Sequence, residues 1–141
     1  MRHLLEKHPL ILMEAAISEQ IRRSENISLH PNLSVSTLIY DEKGRTELEK
    51  LYDDYLQVAI DADLPFIMFT PTWRANFERV KDSSAPLNIN ADAVKFMNKI
   101  RDEKKAAKST ILIGGMVGCK MENEFASLST HANCRRIGVL H

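Results

Sequence analysis

Leu64-Pro65-Phe66-Ile67-Met68-Phe69-Thr70-Pro71-Thr72-Trp73-Arg74-Ala75-Asn76 decides how this chain is read. Its apolar half is too short and too proline-flanked for a helix, so residues 66–69 read as a fully buried strand. The chemistry then changes. Thr70 and Thr72 bring hydroxyls, Trp73 a large ring with an N–H, Arg74 a fixed cation and Asn76 an amide. Pro71 stiffens the turn that presents them. Parallel α/β folds bind ligands outside the carboxyl ends of their strands, which makes this polar cluster a binding-site candidate. A capped turn leading into the next helix accounts for the same residues, and both readings stand.

Upstream, Leu10-Ile11-Leu12-Met13 is a second short buried-strand candidate, followed at once by Glu14. Residues 15–23 are helix-prone, with Ile17 and Ile21 one turn apart on one face. A carboxylate between a strand and a helix favours the helix N-terminus, or it faces a ligand's amino group. The polar run to Asn32 contains Pro31 and reads as a loop. Residues 33–40 alternate and are rich in β-branched side chains, which predicts another strand over about 34–39. Residues 41–44 read as a turn, and Thr46 with Glu49 has the capping-box spacing. Leu48, Leu51, Tyr52, Tyr55, Leu56, Ala59 and Ala62 then share one helical face, the tyrosines at its edge as packing residues.

Downstream, residues 77–80 form a helical turn and 81–88 a loop. Asn90 is placed to cap a helix reaching about residue 105, with Ala93, Phe96, Met97 and Ile100 on its apolar face. Residues 110–113 are the last strong strand, and Gly114-Gly115-Met116-Val117-Gly118-Cys119 follows as a turn that lets backbone approach a ligand closely. It matches neither a Walker loop nor a dinucleotide fingerprint. Residues 121–141 show no period; His131 and Cys134 lack the further partners a zinc site needs.

The 141 residues suffice for one domain. Acidic and basic side chains number 19 each, so bulk charge gives no support to nucleic-acid binding. Two cysteines point to a reducing, cytoplasmic setting, and neither a signal-peptide core nor a membrane-spanning run is legible. Strands alternating with helices predict an α/β fold of parallel βα units. Four such units are half of an eight-fold barrel, whose full length is about 250 residues.

Leu10-Ile11-Leu12-Met13-Glu14-Ala15-Ala16-Ile17, the long helix, Thr70-Pro71-Thr72-Trp73-Arg74-Ala75-Asn76 and Ile113-Gly114-Gly115-Met116-Val117-Gly118 together resemble the homocysteine S-methyltransferase family over residues 9–120. Glu14 stands at the acidic position of the family's first motif and Ala15 at its usual Gly. Met116 and Cys119 replace Ser and Pro of its glycine turn. The resemblance implies the first half of a TIM barrel over residues 1–120, followed by a divergent tail over 121–141. It also implies methyl transfer from a small donor to a thiol such as homocysteine. The substrate-binding residues would be Glu14, Thr70, Thr72, Trp73, Asn76 and Gly115. The family's zinc is held by cysteines of its second half. Cys119 and Cys134 do not match them, so no zinc is expected on this chain and little activity from it alone. The other expectation is a non-catalytic half-barrel that binds a small molecule or forms a homo-oligomer through exposed sheet edges.

Overall fold

The computed structural model describes residues 2–24, 27–104 and 110–118. The expectations placed on Cys119, His131, Cys134 and the tail over 121–141 lie outside the described residues. The fold is mixed α/β. Strands β1 (Leu12–Met13), β2 (Phe66–Phe69) and β3 (Ile111–Gly114) form a parallel sheet in that order. Leu12 pairs with Phe66 and Phe66 with Ile111, so the rows run straight across the sheet. The helices are α1 (Arg2–Lys7), α2 (Ile17–Arg23), α3 (Glu42–Asp61), α4 (Phe77–Lys81) and α5 (Ile89–Glu103).

Phe66 and Met68 are wholly buried, whereas Ile67 and Phe69 are half-buried. The strand expected to be covered on both faces is therefore covered on one. Leu12, Phe66, Met68, Ile111 and Ile113 turn toward the core that α3 and α5 complete with Leu48, Tyr52, Leu56, Ala93, Met97 and Ile100. On the opposite face Met13 is more than half exposed. β1 is also shorter than the predicted 10–13, leaving Leu10 exposed. β3 begins one residue later than predicted, and Gly114 belongs to it because its missing side chain admits the Phe69 ring.

The strand predicted over 34–39 is instead a 3-10 helix, Val35–Tyr40. Its buried residues Val35, Ser36, Leu38 and Ile39 follow a helical spacing, and Leu33 before it is also buried. Ser34, at φ 52°, turns the chain sharply into it. β-branched content suggested a strand, but packing against α3 and α5 sets the conformation. The sheet thus has three strands among the described residues, and the threonine segment follows the second.

Helix α3 starts a turn earlier than the capping-box spacing predicts. Asp41 is the N-cap, its carboxylate accepting the Gly44 N–H at 2.6 Å. Thr46 lies inside the helix and donates to the Glu42 carbonyl. At the far end, Asp63 takes a left-handed conformation at φ 53° and Leu64 N–H bonds the Ala59 carbonyl, ending the helix in a Schellman turn. Ala62, expected on the apolar face, is exposed there. Two smaller expectations also change: α2 begins at Ile17 rather than at 15, and α1 was not foreseen. Asn88, not Asn90, precedes α5, and Asn90 uses its amide to donate to the Ala75 carbonyl at 2.9 Å.

Gly44 explains how closely α3 rides on the 3-10 helix. A Cβ there would stand 2.8 Å from Leu38 Cβ and 2.9 Å from the Leu38 carbonyl oxygen. Alanine favours a helix over glycine by about 1 kcal/mol, but overpacking a close contact costs about 1–3 kcal/mol. Gly44→Ala should therefore lower stability, by up to about 2 kcal/mol, in urea unfolding. A stabilised variant would show that this packing is loose.

Candidate functional site

Glu14, Tyr52, Thr70 and Thr72 meet at the carboxyl ends of the strands. β1 stops at Met13, and the next residue, Glu14, is 5% exposed. Its Oε1 accepts the Phe69 N–H at 2.8 Å, so a side chain supplies β2 with a hydrogen bond where the neighbouring strand has run out. From α3, the Tyr52 hydroxyl donates to the Phe69 carbonyl at 2.9 Å. Both polar groups of one peptide-linked residue are thereby held by side chains from other elements.

The second Glu14 oxygen, Oε2, is buried and has no hydrogen-bond partner among the described residues. Burial pushes the Glu14 carboxyl above its ordinary value, and the bonds from the Phe69 and Glu14 amides pull in the other direction. Tyr52 is also pushed up, by its burial first and by the neighbouring Glu14 charge second. The backbone beyond Glu14 is tied to α3 as well. Tyr55 donates to the Ala15 carbonyl at 2.6 Å, and Gln20 bonds both Tyr55 and Ala15. Ala16 sits in the left-handed region at φ 55°, a conformation that costs an L-residue about 1 kcal/mol.

Thr70 and Thr72 belong to a closed ring of hydrogen bonds. The Met116 N–H donates to Thr70 Oγ1 at 3.1 Å, and Thr72 Oγ1 donates to the Met116 carbonyl at 2.9 Å. The two hydroxyls are 2.7 Å apart. Since the Thr72 proton is committed to Met116, Thr70 donates to Thr72. With the Thr70 N–H on the Gly114 carbonyl, the ring locks the segment after β2 to the segment after β3. Its hydroxyl protons are all used within the protein.

The remaining predicted residues separate. Trp73 is half exposed, with the Arg74 guanidinium 5.1 Å from its ring centroid. Gly118 presses on it so closely that a Cβ would collide with the Trp73 carbonyl and indole. The close approach that the glycines permit is thus to Trp73 and, at Gly114, to Phe69. Gly115 is exposed, with nothing within 4 Å of where a Cβ would stand. Asn76 is the N-cap of α4, accepting the Arg79 N–H at 3.0 Å, so the capped-turn reading describes this residue.

A cavity of about 300 Å³ opens between these elements. Glu14, Thr70 and Trp73 line it together with Tyr52, Ile17, Val35 and Met116. Thr72 and Asn76 do not line it, nor does Gly115. The lining includes two carboxylates, Glu14 and Glu19, and among the described residues no basic side chain. Tyr52 and Met116 were read from the sequence as packing and as a departure from a motif. The signal that Tyr52 reaches the site was its place on the α3 face, but its target, the Phe69 carbonyl, required the fold. No family model matches the chain, nor does any curated protein or solved structure. Among the described residues no helix is long and apolar enough to cross a membrane.

The buried carboxyl makes a pH prediction. Its folded pKa is raised, so its contribution to stability is fully present below the ordinary carboxylate range and is lost as pH rises through the folded value. Glu14→Gln cannot ionise. Relative to the parent, it should gain stability as pH climbs from acidic to neutral in chemical-denaturation series. A difference that stays constant across that range would show that Glu14 does not titrate there.

Proposed function

We propose that the chain binds a small amino-bearing thiol, such as homocysteine, in the cavity at the carboxyl ends of its strands. The observation that carries this reading is Glu14, which lines a cavity with no basic lining residue among the described residues and whose buried Oε2 has no hydrogen-bond partner among them. A buried acceptor without a partner costs about 1–3 kcal/mol, and an ammonium group supplies both the missing donors and the opposite charge. The apolar walls from Ile17, Val35, Trp73 and Met116 suit the aliphatic part of such a ligand.

The reaction proposed for the bound thiol is S-methyl transfer, on the likeness of the Glu14, Thr70–Asn76 and Gly114–Gly118 segments to the homocysteine S-methyltransferase family, with a half TIM barrel as the larger architecture. The parallel order of β1, β2 and β3 agrees with that plan without distinguishing it from other parallel α/β arrangements. In the transfer a bond forms between the thiol sulfur and the methyl carbon, the electron pair of the broken methyl bond leaves with the donor, and the thiol proton passes to water. Glu14 binds and orients the acceptor, and Trp73 and Met116 enclose it. The zinc that the resemblance implies finds no donor set among the described residues, where no group of three or more His, Cys, Asp or Glu could hold a metal. No step is assigned to it.

Calorimetric titration with homocysteine tests the reading. Binding should be saturable and weaken about 10–100-fold in Glu14→Gln, the value of one charge-assisted hydrogen bond. The same affinity for an analogue that lacks the amino group would overturn it.

A second reading is favoured by the exposure of Met13 at 54% and Leu10 at 59% beside the outer edge of β1, which no strand pairs among the described residues. On it, the chain self-associates through the sheet. Sedimentation should then depend on concentration, and Met13→Lys should shift the parent toward monomer. A parent that sediments as monomer throughout the micromolar range would rule this out.

A further inference from the structure

We infer that Met116 sets the length of the ligand that the cavity accepts. The inference deepens the proposed function and rests on its placement of an ammonium group at Glu14. Met116 has two roles that are physically separate. Its backbone closes the hydrogen-bond ring with Thr70 and Thr72, N–H at 3.1 Å and carbonyl at 2.9 Å. Met116 also lines the cavity that holds Glu14, and its side chain takes no part in that ring. Both backbone bonds are made to threonine hydroxyls, so the position of the Met116 Cα does not depend on what its own side chain is. The contact between Gly118 and Trp73 holds the same turn from its far side.

The Met116 side chain is not required by the core. Met68 and Met97 are fully buried within it, whereas Met116 is half-buried and outside it. A thioether on a flexible stem fills irregular space and yields it readily. Four of the other lining residues lack this freedom. Tyr52 is tied to Phe69, Ile17 and Val35 are core residues, and Glu14 is fixed through Oε1. Side-chain volume at position 116 therefore trades directly against ligand volume, with the backbone frame unchanged.

The test titrates n-alkylammonium ions, ethyl through hexyl, into the parent chain, Met116→Ala, Met116→Leu and Met116→Phe. Fluorescence of the single tryptophan, Trp73, reports occupancy from within the wall, and calorimetry confirms it. In the parent, affinity should rise about fourfold per methylene up to a limiting length and then fall. Met116→Ala, which removes the Cγ, Sδ and Cε atoms, should move that limit to longer ions. Met116→Phe should move it to shorter ones, and Met116→Leu, close in volume, should keep it. Thermal melts matching the parent's would establish that the variants fold alike. The same limiting length in all four proteins overturns the inference, as does failure of every ion to bind. A limit that follows position 116 while homocysteine fails to bind upholds Met116 and overturns the thiol reading.

Discussion

The peptide groups of Phe69 are the point on which the rest of the structure depends. β1 is two residues long and cannot pair with β2 along its whole length. The Glu14 carboxylate takes the Phe69 N–H and Tyr52 donates to the Phe69 carbonyl, which ties the end of the sheet to the loop before α2 and to the middle of α3. Leaving a buried backbone group unpaired costs about 1–3 kcal/mol, so these two bonds fix where three elements meet. Tyr55 repeats the device one turn along α3 by holding the Ala15 carbonyl.

That solution leaves a residue of unsatisfied chemistry. A carboxylate has two oxygens, and the fold uses one. Oε2 remains buried, and the cavity that Glu14 lines has carboxylates and no basic group among the described residues. The raised pKa of Glu14 and the left-handed Ala16 beside it belong to the same compromise: the chain accepts desolvation and backbone strain to bring a charge-bearing group inside. The threonine ring around Met116 does the opposite. Every hydroxyl proton in it is used internally, which makes it a frame for the turn around Met116.

Much of this arrangement was legible from local pattern. The apolar runs before Glu14, Thr70 and Gly114 announced the three strands, and the periodic face through Leu48, Tyr52 and Leu56 announced α3. Asn76 shows how one residue type serves two readings. Its amide suited a ligand, but the following residues are helical, and the free amide of Arg79 claims it first. Residues 33–40 misled because β-branched side chains favour strands only where a neighbouring strand exists to pair with. Here the neighbours are α3 and α5, and the segment coils to present Val35, Leu38 and Ile39 to them.

Sequence alone determined the alternation of short apolar strands with amphipathic helices, and with it the position of polar residues just after strands, because both follow from spacing along the chain. Tertiary structure decided which of those polar residues face a cavity and which close on each other. Glu14 and Phe69 are 55 positions apart, and Thr72 and Met116 are 44 apart. Hydrogen bonds over such separations depend on sheet order and helix placement, and no local pattern encodes the distance between their ends.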